Sequence, residues 1–154
     1  MKWINIQIFR HILPTNYTVN KYKARQDPGC SFCSNHSERL IDLLWGCPEV
    51  GEFWTMIGNI ISFYFPGFKL GQKEAIFGDV NSSSNSIINV MLILAKEFIW
   101  KQKFGAKNLN EINYINFMRK ELRFLYDIAE FKEDKYSFFA EWCSIFEHFE
   151  VELI

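Results

Sequence analysis

The chain has 154 residues, of which 49% are hydrophobic and 18% aromatic, and its formal net charge is -1. This composition suits one ordinary domain with a packed core and excludes global disorder and a polycationic protein. The length also excludes a complete polymerase. Charge is uneven along the chain. Lys2, Arg10, Lys21, Lys23 and Arg25 face only Asp27 in the first thirty residues, whereas ten acids outnumber five bases from residue 108 onward. A polyanion is therefore expected to meet the front of the molecule.

In chain order, residues 4–12 begin a helix that Pro14 interrupts, and Leu13-Pro-Thr-Asn16 reads as a turn or a restart capped by Thr15 or Asn16. Asp27-Pro28-Gly29 is a turn signal directly before Cys30. Pro48, after Cys47, suits the first position of a helix carrying Val50, Phe53, Trp54, Ile57, Ile61 and Tyr64 at helical spacing, which Pro66-Gly67 ends. Residues 68–85 read as loop and finish in Asn81-Ser-Ser-Ser-Asn85. A helix is predicted from about Ser86 to Lys103, with Ile87, Val90, Met91, Leu94, Phe98 and Ile99 on one side. Asn108 with Glu111 resembles a capping box for a helix carrying Ile112, Ile115, Met118, Leu122, Leu125 and Ile128. A last helix from about Asp134 presents Phe138, Phe139, Trp142, Ile145, Phe146 and Phe149.

Neither apolar stretch of this pattern points to a membrane. The run Ile87–Ala95 contains Asn89 and meets Lys96-Glu97, well short of the roughly 20 residues a span needs. Asn5, Gln7 and Arg10 break up the first apolar run, which makes a poor signal peptide. An intracellular protein, cytoplasmic or nuclear, is expected. In such a compartment the four cysteines are read as thiols rather than disulfides.

The informative spacing is Cys30-x2-Cys33-x8-Asp42-x4-Cys47. Two thiolates two residues apart can hold one metal from a single tight turn, and a third can close the site if the chain folds back. Mainly thiolate donors select zinc over magnesium or calcium. Asp42 and His36 are the candidates for the fourth ligand. From spacing alone, cysteines that act as small buried hydrophobes remain an equal alternative. Cys143, beside Trp142 and Phe146, reads as a core thiol.

The ordered run His11-Ile-Leu-Pro-Thr-Asn16, Cys30-Ser-Phe-Cys33, Glu38, Leu43-Leu-Trp45-x-Cys47-Pro48 and Phe53-Trp54 resembles the zinc-binding domain that follows the polymerase in LINE-type (non-LTR) retrotransposon reverse transcriptases. Ala75-Ile-Phe-Gly78 and Leu94-Ala-Lys96 look like its continuation, so the resemblance covers roughly residues 2–105. It implies a mainly α fold, a helical domain with a small zinc-stapled loop near its N-terminus. Residues 1–65 would be the zinc-binding segment and 66–154 a helical extension packed as one domain with it. It also implies structural zinc on Cys30, Cys33 and Cys47, with Trp45 and Trp54 packed against the loop. Asp42 stands where that family carries its histidine ligand. The order of preference is Asp42 as replacement, then a lost or weakened site, then His36.

The implied function is nucleic-acid binding, to RNA or DNA, within a reverse transcriptase whose polymerase this chain lacks; the rest of that polyprotein is a possible partner. Arg10, Lys21, Lys23 and Arg25 would contact phosphates, and Tyr22 would stack on an unpaired base. Lys96, Lys101, Lys103 and Lys107 read as a solvated helix face, and His11 and His148 as structural. No phosphate loop, nucleophile elbow or paired aspartates mark a catalytic site. The rival reading is a helical protein-interaction module, or a decayed retrotransposon remnant, without metal.

Overall fold

The computed structural model describes residues 6–8, 10, 13–23, 27–83 and 86–153. Arg25 and His11, and most of the stretch 4–12, lie outside the described residues. The fold is mainly α, and the described residues contain no strand, only an isolated antiparallel bridge between Gly29 and Ser37. The chain divides into two compact units, Met1–Leu109 and Asn110–Ile154. The expected boundary at 65/66 thus falls inside the first unit.

In the first unit, α1 spans Asn16–Tyr22, with the Thr15 hydroxyl accepting from the Thr18 amide at its start. A single wide turn follows at Asp42–Gly46, closed by Cys47 N–H donating to Asp42 O at 3.0 Å. Helix α2, Pro48–Tyr64, starts on Pro48 as its sequence predicts and buries Val50, Phe53, Trp54, Ile57 and Ile61. That stripe packs on the wide turn and on α4, Ile87–Phe104, where Phe53 meets Phe98 at 5.4 Å between ring centroids.

The expected loop at 68–85 holds a short helix, α3, at Gln72–Phe77. Six residues are too few to show a period, and polar groups supply its ends. The Glu74 carboxylate accepts from Gly71 N–H, and Lys96 Nζ donates to Ile76 O at 2.9 Å. Gly78 then adopts φ +88, and a Cβ there would lie 2.6 Å from Asn89 Oδ1, which accepts from Asp79 N–H. A side chain at position 78 is excluded by both backbone and space.

The solvated lysine face is corrected. Lys96 and Lys103 are buried, at 0% and 4% exposure, and only Lys101 and Lys107 face solvent. Over most of its length helix α4 is buried on every side, so Lys96 and Lys103 must aim their ammonium groups at acceptors inside the unit.

The second unit is a helical hairpin of α5, Glu111–Phe131, and α6, Lys135–His148. The cap of α5 is Asn110, not Asn108: its side chain accepts from Asn113 N–H at 2.8 Å, which leaves Glu111 as the first helical residue. The buried stripe is Tyr114, Met118, Leu122 and Ala129, and Ile112 is 70% exposed. On α6, Trp142, Ile145 and Phe146 are core, and Cys143 is half-buried rather than a core thiol.

Candidate metal centre

The cysteine segment folds as a tight hairpin. Cys30 N–H donates to His36 O and Glu38 N–H to Pro28 O, both at 2.7 Å, across the Gly29–Ser37 bridge. The Asp27 side chain accepts from Gly29 N–H at 2.8 Å, a local bond typical of Asp in turns. Inside the hairpin, Ser34 N–H donates to Cys30 O, and Ser34 takes a left-handed φ of +60. A serine pays for that conformation with steric strain, so the hydrogen bonds on either side must hold it.

Cys47 reaches the hairpin from the other side. It caps the start of α2 in extended conformation, and the wide turn before it carries Leu43 and Leu44 into the core. Trp54 Nε1 donates to Leu44 O at 2.6 Å, and its ring lies 6.5 Å from that of Trp45. The turn that delivers Cys47 is thus anchored by a buried tryptophan one helical stretch later.

The outcome is that the sulfurs of Cys30, Cys33 and Cys47 lie within 4.8 Å of one another, with Cys30 and Cys47 buried and Cys33 partly open. Two thiolates on one tetrahedral zinc are about 3.8 Å apart, given Zn–S near 2.3 Å. All four cysteines are free thiols. The donor set therefore fits a soft, thiophilic ion, and Cys30, Cys33 and Cys47 could hold it. The Asn35 amide beside the Cys33 sulfur holds that thiol below its ordinary range, aided by bonds from Cys47 and Cys30 and opposed by burial. Burial pushes Cys47 up to about 12, against the Val50 amide, which favours its thiolate. A cation at the cluster would reverse that penalty.

The residues proposed for the fourth position do not join the group. Asp42 turns its carboxylate back along its own turn, where Oδ2 accepts from Arg39 N–H at 3.3 Å and Oδ1 lies close to Gly46. His36 is exposed, and its carbonyl serves the hairpin ladder. Among the expected nucleic-acid contacts, Arg10, Lys21, Tyr22 and Lys23 are exposed, the last three at the end of α1, with Tyr22 79% exposed.

The sequence marks Glu38 only as one residue of the run that carries the resemblance, with no function attached, and puts Lys103 on a solvated face. Glu38 is 0% exposed and pairs with Lys103 beside the hairpin. Burial raises its carboxyl pKa, but the Lys103 ammonium with the Ser31 and Asn16 donors more than offsets this and leaves it below the usual range. The signal for Glu38 is its place in that run, between Cys33 and Cys47; nothing local can name a partner 65 residues away.

No family model matches the chain, and no curated protein or solved structure matches it either.

Proposed function

We propose that the first unit is a zinc-stapled helical module that binds nucleic acid, of the kind that accompanies a LINE-type reverse transcriptase. The observation that carries this reading is the convergence of three thiols from two separate segments. Zinc would be structural, tying the 30–38 hairpin to the start of α2 and adding its binding free energy to folding. In this reading Asp42 completes the site by turning about its side-chain bonds, which costs it the long 3.3 Å bond to Arg39 N–H. Nucleic acid would meet the exposed Lys21-Tyr22-Lys23 end of α1, with Arg10 and Arg25 as further phosphate contacts. Polymerase activity would belong to the rest of a parent protein. A cytoplasmic or nuclear setting, where thiols stay reduced, suits this reading. Among the described residues no helix is long and apolar enough to cross a membrane.

Elemental analysis after purification without chelator should find about one zinc per chain. Four freely titratable thiols and no metal would end the zinc reading. Asp42→Ala should weaken zinc in a competitive chelator titration while His36→Ala leaves it unchanged, and the reverse ranking would transfer the role to His36. Replacing Lys21, Lys23 and Arg25 by Ala should lower the log-log salt slope for a single-stranded RNA by about two, at roughly 0.7 per lost phosphate contact. An unchanged slope would remove the nucleic-acid site from this segment.

The second unit favours a different role. Phe124, Phe131 and Tyr136 are 59%, 89% and 81% exposed, and aromatic residues are enriched at protein interfaces. This supports a protein-interaction role for the α5–α6 hairpin. Alanine at all three positions should leave zinc content and RNA binding unchanged.

A further inference from the structure

We infer that Glu38 and Lys103 are positioning residues of the metal centre, holding the thiol-bearing hairpin in ligating geometry from the body of the first unit. The inference rests on the metal reading above and adds to it residues that carry no sulfur. Glu38 Oε2 accepts from Ser31 N–H at 2.8 Å, the amide directly after Cys30. Glu38 Oε1 accepts from Asn16 N–H at 2.9 Å and from Lys103 Nζ. The ammonium of Lys103 makes two further bonds, to Asn16 Oδ1 at 2.7 Å and Ser31 Oγ at 3.0 Å. An ammonium has three N–H donors, and all three are used. Asn16 closes the network by donating from Nδ2 to Gly29 O at 2.7 Å.

This network joins three elements that share no sequence neighbourhood: the start of α1, the hairpin, and the last turn of α4. Its members clasp Cys30 from both sides, at Gly29 O and at Ser31. A buried ion pair gains little stability over a well-packed apolar pair, because desolvation consumes most of the attraction. An apolar pair could not, however, hold the Ser31 amide, the Ser31 hydroxyl and the Asn16 side chain at fixed positions. The function of the pair is therefore geometric. Partners one step removed from a metal commonly set its affinity by fixing the direction of the ligands.

The test uses cobalt(II) as the probe, read by its thiolate absorption, on the full chain and three variants. The double variant Glu38→Gln/Lys103→Met removes both charges and leaves none unpaired. Ser31→Ala removes the hydroxyl, which accepts from Lys103 Nζ and Asn16 Nδ2, and keeps the amide. Lys96→Met is the control, since Lys96 is as deeply buried on the same helix but serves Ile76 O rather than the hairpin. The double variant should bind cobalt about 10–100-fold more weakly, with an altered absorption spectrum. Ser31→Ala should lose a smaller factor, and Lys96→Met should match the parent within about twofold, whatever its stability. A purely structural role would shift melting alone and leave the affinity and spectrum of the folded protein unchanged. A folded double variant that binds cobalt like the parent overturns the positioning role. Should it not fold, parental affinity in Ser31→Ala overturns it instead. A parent that takes up no cobalt overturns the metal reading itself, and the positioning role with it.

Discussion

In the α5–α6 hairpin, Tyr126 lies 6.2 Å from Phe146 and Tyr114 lies 6.0 Å from Phe149, edge to face in both cases. Between Pro28 and Cys47 the chain is fixed instead by backbone ladders, a buried carboxylate, a buried ammonium and a cluster of three thiols. The polar contacts of the helical hairpin lie at its margin, as where Arg119 and Arg123 donate to Phe149 O and Glu152 O. Those of the cysteine segment lie inside. Aromatic packing is the sum of many small contacts, so the loss of one polar atom at its margin removes little of it. A buried charge network loses more, because each unsatisfied member carries a desolvation penalty. The cysteine segment should therefore respond to single-atom changes at positions where the helical hairpin would be indifferent.

The sharpest way to break this contrast is Lys103→Met. It leaves the Glu38 carboxylate buried without its cation, which should cost about 3–5 kcal/mol in a urea titration that follows the first unit. Adding Glu38→Gln should recover much of that loss, since it removes the stranded charge. A single variant as stable as the parent would show that the pair is neither buried nor coupled. The comparable change in the second unit, Arg119→Met, strips a half-exposed guanidinium and should cost no more than about 1 kcal/mol.

A smaller effect comes from the other buried lysine. Burial alone lowers the pKa of Lys96 from 10.5 to about 8. Between these values the unfolded chain holds a proton that the folded chain has released, so stability from this group rises with pH. Below about pH 8 both states are charged, and the burial cost is constant and complete. Relative to Lys96→Met, the parent should therefore gain stability between pH 8 and 10.5, by about 3 kcal/mol at 1.36 kcal/mol per unit. Chemical denaturation at pH 7.5, 9 and 10.5 checks this. Parallel curves for the two proteins would place the Lys96 ammonium in water.

These two lysines also mark how far the sequence could be read. Helices α2, α4 and α6 were legible because each carries a long apolar stripe at helical spacing, and Pro48 at the head of α2 announced its own role. The wide turn at Asp42–Gly46 and the short α3 have too few residues for a period, so their positions depend on Leu44 meeting Trp54 and Ile76 O meeting Lys96. The three thiols were legible as a group because the Cys-x2-Cys turn is local and Cys47-Pro48 marks a helix start. Asp42 is not grouped with them; its carboxylate accepts instead from the Arg39 amide, three residues earlier. Helical spacing and charge, which are all that local sequence offers, put Lys103 in solvent. Only tertiary packing puts Glu38 within its reach.

The mildest test compares two residues with the same backbone strain and different surroundings. Ser34 in the cysteine hairpin and Glu133 between α5 and α6 both have φ +60. Glycine removes the Cβ clash that makes this conformation costly, at the expense of a more flexible unfolded chain. Each glycine variant should gain about 0.5–1 kcal/mol in its own unit. Their effects on metal should differ. Ser34 directly follows Cys33, and its left-handed turn brings the Asn35 amide to the Cys33 sulfur. Relaxing that turn favours the ligating form of the hairpin, so Ser34→Gly should tighten cobalt about two- to fivefold, the binding equivalent of 0.5–1 kcal/mol. Glu133→Gly should leave cobalt affinity unchanged, because none of the three clustered thiols lies in the α5–α6 hairpin. Equal cobalt affinity in both variants, with equal gains in stability, would mean that the hairpin reaches its ligating shape without help from the strained residue. A loss of stability in Ser34→Gly would mean that the serine side chain, rather than its backbone, holds the turn.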